Sequence, residues 1–182
     1  MRKLFAFIFA ALTVLCLNVP FVGTAEAAKV AIVPIEINEQ QVERAGDFTG
    51  YYWDIMVEKF KYPDFDLIDD DTVSKVIPED GLKDFSKDTL MDVARRTGAD
   101  IVVAMRLDKV TDRALNFRRE PALECVMRGE YASYNRVTGN YYNKNIRYKE
   151  EIEEVLTYRT DWQQKAFARM TSRYVDRTIA VR

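Results

Sequence analysis

The 182-residue sequence contains no histidine, only two cysteines and seven glycines. Without histidine the chain lacks the commonest general base near neutral pH, so Ser-His-Asp and Cys-His catalytic arrangements are excluded. Zinc sites that combine histidine with cysteine are excluded as well. The glycines form neither a phosphate-binding loop nor a G-x-G-x-x-G segment. The sequence therefore predicts no catalytic residue, no metal ligand and no cofactor.

The first 27 residues have the layout of a secretory signal peptide. Two basic residues precede a nearly unbroken apolar stretch from Leu4 to Leu17, which is shorter than the roughly 20 residues of a membrane span. A small-x-small site ends at Ala27, so we predict cleavage between Ala27 and Ala28. An uncleaved amino-terminal anchor is the alternative. The predicted product is extracytoplasmic, in a periplasm or secreted, with no membrane span after signal removal.

The predicted mature chain is a single domain from residue 28 to residue 182. Removing the first 27 residues, which include two basic and one acidic side chain, changes the net charge from −2 to −3. A mildly acidic chain gives no electrostatic reason to expect nucleic acid or an anionic membrane surface as a partner. Cys125 is then the only cysteine, so no internal disulfide can form. We predict that Cys125 is buried as a small core residue, with a cross-link between two chains as the alternative.

The stretch from Thr97 to Met105 predicts the end of a helix followed by a central strand. Gly98 lies where a helix needs a left-handed residue to close, a conformation that glycine adopts without strain. Ile101 to Met105 form a short apolar run of the kind found in strands that are covered on both faces. A helix that leads directly into a buried strand is typical of α/β packing.

The hydrophobic periodicity predicts the order β-α-β-α-α-β-β-β-α and the α/β class. In this interpretation a mixed sheet of about five strands is packed by helices, and Asp47 is the N-cap of the first helix. The charged stretch 111–120 is predicted to be a turn or an exposed excursion. It is followed by a late β-hairpin that turns at Thr138-Gly139-Asn140 and by a C-terminal helix.

Four short phrases connect this order with a known group of proteins. They are K-V-A-I-V-P-I at the first strand, F-D-L-I-D-D-D before a helix, A-R-R-T-G-A-D-I-V-V at the central strand, and Y-A-S-Y-N-R-V-T-G-N at the hairpin. With them the chain resembles the amino-terminal domain of TolB and the related core of CsgG-type envelope proteins. The resemblance implies a mixed sheet packed by helices in an extracytoplasmic protein with a role in assembly or binding. No β-propeller follows, so the full function of TolB is not implied. The chain lacks the acylated cysteine of CsgG-type lipoproteins and their pair of long membrane-inserting hairpins, so neither a lipid anchor nor a pore is expected.

Aromatic residues of the predicted hairpin and first helix are the candidate interaction surface. Exposed tyrosine and tryptophan side chains suit glycan stacking or a protein-binding patch. The alternative is that tyrosine suits strands and packs half-buried in them. The candidate residues are Trp53, Tyr131, Tyr134, Tyr141 and Tyr142.

Three functions are compatible with this sequence. The first is a non-catalytic binding or assembly module of the cell envelope, whose partner is an envelope protein or a second copy of the chain. The second is an exported hydrolase that uses paired carboxylates, which would have to face each other across a cleft. The third is a receptor for a small ligand, which requires an enclosed pocket lined by the hairpin tyrosines.

Overall fold

A six-stranded mixed sheet is the centre of this computed structural model, which describes residues 26–115, 122–152 and 159–180. The strands are β1 (Ala28–Ile32), β2 (Glu36–Ile37), β3 (Phe65–Leu67), β4 (Ile101–Leu115), β5 (Ala122–Asn135) and β6 (Tyr141–Ile152). The helices are α1 (Ala45–Lys59), α2 (Asp70–Ser74), α3 (Lys87–Thr97) and α4 (Arg159–Ala180). The predicted α/β domain, with its mixed sheet, late hairpin and C-terminal helix, is confirmed. The two-residue strand β2 is an addition to the predicted order.

The strands lie side by side in the order β3-β1-β4-β5-β6, and β2 pairs with β4 outside this path. β1 is parallel to β3 and β4, whereas β4, β5 and β6 form an antiparallel meander. Ile101 to Met105 are each at most 1% exposed, which confirms the predicted central strand. Gly98 has φ 75° and caps α3 at its carboxyl end, as predicted.

The strand that begins at Ile101 continues to Leu115, well beyond the predicted end. Residues 111–115 pair with residues 122–126 of β5, so the first half of the predicted charged excursion is regular strand. The prediction was wrong there because the polar residues Thr111 and Arg113 were interpreted as a sign of a loop. In the structure they lie on the strand face that points away from the core under α1 and α4. Residues 116–120, the rest of that prediction, lie outside the described residues.

Helices cover both faces of the sheet around β1 and β4. Alternate residues of β1 point to opposite faces, so Val30 and Ile32 belong to the core under α1 and α4. Ala31 and Val33 belong to the second core under α2 and α3. No helix within residues 26–115, 122–152 and 159–180 combines the length and the apolarity that crossing a membrane requires.

The contact between α1 and α4 is made by apolar packing and by polar pairs. The rings of Phe48 and Phe167 meet edge to face with their centroids 5.3 Å apart. Asp47, the predicted N-cap, lies inside the first turn of α1, which begins after Arg44 at φ 56°. Its carboxylate accepts a hydrogen bond from Gln164 Nε2 of α4 at 3.0 Å and pairs with Arg44 at 2.6 Å. These contacts hold the side chain that was expected to cap the backbone.

Cys125 is fully buried in β5, as predicted. Burial, with the nearby carboxylates of Asp112 and Glu150, raises the pKa of its thiol to about 12. At pH 8 the thiol is therefore neutral as well as inaccessible. For the chain that starts at Ala28, in which Cys125 is the only cysteine, we expect no reaction of the folded form with a maleimide, and stoichiometric labelling after unfolding in guanidinium chloride, measured by mass spectrometry. Rapid labelling of the native chain, or a disulfide-linked dimer on a non-reducing gel, would contradict this.

Candidate functional site

Part of one sheet face has no described helix or strand packed over it. Beyond Ala104 of β4 and Ala132 of β5, the last residues of the core under α2 and α3, the next three rows of this face carry side chains that are exposed or half-buried and, except for Val126, polar. We call this surface the open face. It comprises Arg106, Asp108, Lys109 and Thr111 of β4, Val126, Arg128 and Glu130 of β5, and Asn145, Arg147 and Lys149 of β6.

The strand register arranges the open face in rows that cross three neighbouring strands. One row is Arg106, Glu130 and Asn145; the next is Lys109, Arg128 and Arg147; the third is Thr111, Val126 and Lys149. Members of a row stand directly opposite each other on strands about 4.8 Å apart. The middle row therefore places three cations side by side, and we call it the cationic row.

A β-bulge in β4 creates the cationic row. Leu107 pairs with Gly129 and Lys109 with Arg128, so Asp108 is the extra residue. In an unbroken register Asp108 would stand opposite Arg128, and Lys109 would point toward the core under α1 and α4. The bulge instead turns Lys109 to the open face.

Gly129 is required opposite the bulge. A Cβ atom on this residue would lie 2.0 Å from the backbone oxygen of Arg106, far closer than two such atoms can approach. The glycine lets the two backbones come together where β4 accommodates its additional residue.

The rows on the open face differ in how their charges are compensated. Arg106 pairs with Asp108 at 2.9 Å and with Glu130 at 3.1 Å, and its guanidinium lies 5.6 Å from the centre of the Phe85 ring. In contrast, among the described residues no acidic side chain lies within 4 Å of the cations of Lys109, Arg128 or Arg147. Like charges directly opposite each other destabilise a sheet. The uncompensated row therefore identifies the open face as a candidate binding site for an anion, because functional surfaces are where a fold tolerates such a cost.

The open face is also concave. A depression of about 580 Å³ lies over it, within the range of about 300–1,000 Å³ that is usual for ligand sites. Its lining consists of Asp108, Val126, Arg128, Gly129, Asn145, Ile146, Arg147 and Lys149. Two members of the cationic row and the adjacent Lys149 thus border the same depression.

Replacing one member of the cationic row is expected to stabilise the chain. Arg128→Gln removes repulsion from both neighbours, so the free energy of unfolding should rise by about 0.5 kcal/mol at low ionic strength. Since salt screens exposed charges, the gain should shrink in 0.5 M NaCl. Urea unfolding at low and high salt measures both effects. As the control, Arg106→Gln should lower stability, because Asp108 and Glu130 lose their shared partner; a loss of stability in Arg128→Gln at low salt would contradict the repulsion.

The predicted aromatic residues do not form one accessible surface. Tyr131 is fully buried, its hydroxyl lies 2.7 Å from Thr178 Oγ1, and its ring stacks on Tyr174. Tyr134 is 6% exposed and belongs to the core under α2 and α3. Trp53 is half-buried on α1 and packs against the core of the other face. Tyr131 and Tyr134 are core residues because both sheet faces are covered at their positions.

Tyr141 and Tyr142 lie together at the turn end of the hairpin. The Tyr141 hydroxyl donates to the Phe85 carbonyl at 2.6 Å, and Arg177 donates to the Tyr142 hydroxyl at 3.1 Å. Both residues line a cavity of about 120 Å³ beside α4. This volume is well below the range of about 300–1,000 Å³ for ligand pockets, so the geometry does not favour the small-ligand receptor.

The hydrolase hypothesis requires paired carboxylates, and three carboxylates lie near Arg106: those of Asp108, Glu130 and Glu36. Asp108 and Glu130 bind its guanidinium directly. Burial raises the pKa of the Glu36 carboxyl, which accepts a hydrogen bond from the Leu82 N–H at 2.7 Å. Each carboxylate is thus held by a structural partner, and the charges of Asp108 and Glu130 lie near enough to Glu36 to add to the rise in its pKa. Within the described ranges no group of three His, Cys, Asp or Glu side chains is placed to hold a metal ion.

Sequence reasoning missed the cationic row. The alternation in β5 placed Arg128 on the polar face, and the same period places Arg147 on one face of β6. Neither strand reveals its register with its neighbour, and nothing in β4 marks Asp108 as the bulged residue. A glycine within a strand, as at Gly129, was the one local signal of a bulge.

The sequence matches no protein-family model and no curated protein. Among solved structures, the chain is similar to lipoprotein GNA1162 of Neisseria meningitidis, with 7% identity, TM-score 0.45, and coverage of 82% of this chain and 99% of that one. It is also similar to the C-terminal domain of LpoB from Salmonella enterica, with 16% identity, TM-score 0.39, and coverage of 73% and 87%. A third similar structure is the PelC dodecamer of Paraburkholderia phytofirmans, with 10% identity, TM-score 0.41, and coverage of 80% and 86%.

One of these similar structures is a lipoprotein, and the identities are low. At TM-scores below 0.5 the likeness assigns neither a family nor an activity to this chain. The three structures do not show kinship with CsgG-type proteins, and the resemblance to the TolB amino-terminal domain remains a prediction.

Proposed function

We propose that the chain is an exported, non-catalytic binding module of the cell envelope whose binding surface is the open face. The observation that supports this is the cationic row, in which three cations stand side by side without acidic partners among the described residues. Arginine and lysine remain charged at neutral pH and bind oxyanions, but they are poor proton-transfer groups there. The surface is therefore suited to holding a partner rather than to transforming it.

The export part of the proposal concerns the predicted cleavage between Ala27 and Ala28. β1 begins at Ala28, whose backbone N–H donates to the Asp64 carbonyl at 3.0 Å. Removal of residues 1–27 would thus leave every described strand and helix whole.

Expression of the 182-residue chain, followed by cell fractionation, tests the proposal. We expect an extracytoplasmic product whose amino terminus is Ala28 by mass spectrometry, and which co-sediments with isolated envelope material in a salt-dependent manner. The variant Arg128→Glu/Arg147→Glu should be exported equally but should not co-sediment. A cytoplasmic product, or equal co-sedimentation of the variant, would overturn the proposal.

A second copy of the chain is a further candidate partner, favoured by one feature of the sheet. β6 is 12 residues long, and in the described sheet it has β5 on one side and no strand on the other. Unpaired edges of this length are templates for pairing with another strand. Light scattering tests this: a dimer mass that depends on protein concentration supports it, and a monomer mass at every concentration removes it.

A further inference from the structure

Building on the proposed binding role, we propose that the open face binds an anionic glycan, a sugar polymer that bears carboxylate or phosphate groups. The anionic groups would lie on the cationic row, and the sugar hydroxyls on the neighbouring Asn145 and Thr111 side chains. Three observations support this: the spacing of the three cations, the acidic residues on both sides of the cationic row, and the position of two neighbouring depressions.

The spacing suits a chain with repeated anions. Lys109, Arg128 and Arg147 stand on three adjacent strands, so the row spans about 10 Å at the usual strand separation. Each guanidinium can hold an oxyanion through two parallel hydrogen bonds, and lysine adds a point charge. An anion on this row replaces repulsion between neighbours by attraction to all three.

Acidic residues restrict the site to a narrow strip. On one side of the cationic row Asp108 and Glu130 surround Arg106. On the other side Glu124 lies between Arg113, at 3.6 Å, and Lys149, at 3.7 Å. A broad anionic surface such as a membrane would meet these acids at both margins. A linear polymer laid across the strands meets the cations and only one acid of the open face, Asp108, which borders the same depression.

A second depression lies beside the first at the β6 edge. It measures about 540 Å³ and is lined by Asn143, Lys144, Asn145, Arg147 and Tyr174. Asn145 and Arg147 border both depressions, so the two are neighbours. A polymer that follows the cationic row would next meet another cation, Lys144, and the tyrosine ring of Tyr174, which offers an apolar surface to a sugar.

The composition of the open face favours a glycan over a protein partner. Val126 is the only apolar side chain among its ten residues. The centre of a protein interface is usually aromatic or aliphatic and depleted in charge. Here the centre is the most charged part, and amide and hydroxyl groups flank it.

Isothermal titration calorimetry on the exported chain tests the proposal with four probes. They are an oligogalacturonate, linear inorganic polyphosphate, an uncharged malto-oligosaccharide of the same length as the oligogalacturonate, and phosphatidylglycerol vesicles. We expect salt-dependent binding of at least one of the first two, weaker binding of the vesicles, and no binding of the malto-oligosaccharide. The oligogalacturonate and the polyphosphate show whether carboxylate or phosphate is preferred.

Variants with matched charge locate the binding. Arg128→Gln/Arg147→Gln should weaken binding by about tenfold or more, since each removes hydrogen bonds to a charged group. Lys83→Gln/Lys165→Gln, which removes two exposed cations from elsewhere on the chain, should leave the affinity unchanged. Equal weakening in both pairs would mean that only net charge matters and would overturn the site.

The remaining outcomes separate this inference from the proposed function. If neither anionic probe binds, or if the vesicles bind more tightly than both, the glycan assignment is overturned. The binding-module proposal still stands in that case if co-sedimentation with envelope material depends on Arg128 and Arg147. If that dependence is absent too, both proposals fail.

Discussion

Replacing Gly129 with alanine is expected to lower the free energy of unfolding by about 3 kcal/mol or more. The added Cβ would lie 2.0 Å from the Arg106 backbone oxygen, and backbone cannot move away as a flexible side chain can. Relief requires β4 and β5 to separate at the bulge, which breaks ladder hydrogen bonds in the middle of the meander. Chemical denaturation of the native chain and of Gly129→Ala measures the difference.

Gly50→Ala is the matched control for Gly129→Ala. Gly50 lies within α1, and nothing stands within 4 Å of its added Cβ. Alanine is favoured over glycine inside a helix by up to about 1 kcal/mol, so this variant should be more stable than the native chain. Opposite signs for the same chemical change would locate the strain at the bulge. If Gly129→Ala were as stable as the native chain, the close approach of β4 and β5 would be refuted.

Replacing Phe167 with alanine is expected to cost about 3–5 kcal/mol of stability. The ring is fully buried in α4, between the sheet and α1, and meets the Phe48 ring edge to face at 5.3 Å. Removing it leaves a cavity in the core under α1 and α4. Thermal or urea unfolding provides the measurement. Met91→Ala on α3, where the side chain is 44% exposed, should change stability by less than about 0.5 kcal/mol.

A double-mutant cycle separates the ring contact from the cavity. Combining Phe167→Ala with Phe48→Ala should give a loss smaller than the sum of the single losses, by about 0.5–1.5 kcal/mol. Strict additivity would show that the two rings do not interact, and would contradict the edge-to-face contact through which α1 packs against α4.

The core architecture could be predicted because its signals are local. Gly98 marks the end of α3 within one residue, and the apolar run from Ile101 to Met105 can only be satisfied by cover on both faces. The same reasoning failed at Asp47, whose carboxylate is held by Gln164, a residue more than one hundred positions later in the chain. A side chain's intrinsic preference for a helix end could not reveal a partner so distant in sequence.

The candidate site could not be predicted because it depends on register. Whether Lys109 faces solvent or core is decided by one additional residue in β4, and shifting the register by one position reverses the face of every side chain beyond it. Net charge was misleading for a related reason. The chain is mildly acidic as a whole, with a net charge of −2, yet Arg128 and Arg147 are set apart from the acids by strand pairing. A sum over the sequence contains no information about such segregation.

The tyrosines show the limit of composition as a guide to surfaces. Tyr131 and Tyr142 lie on adjacent strands and face the same core, with ring centroids 6.1 Å apart, but only one of them is fully buried. Tyr131 lies on β5, which has a strand on each side, whereas Tyr142 lies on β6 at the edge of the described sheet. The hairpin sequence does not encode which of its two strands is the inner one.

The position of β1 has a consequence for the order of events during export. Its partners lie far downstream, since Val30 stands opposite Leu67 and Ile101. A chain that crosses the membrane from its amino end would therefore present β1 without β3 until about residue 67 has emerged, and without β4 until about residue 103 has emerged. Before β3 arrives, the bond after Ala27, where we propose cleavage, would be accessible to a signal peptidase. Maturation would then precede closure of the sheet, and slow processing would leave the leader tethered beside an interior strand.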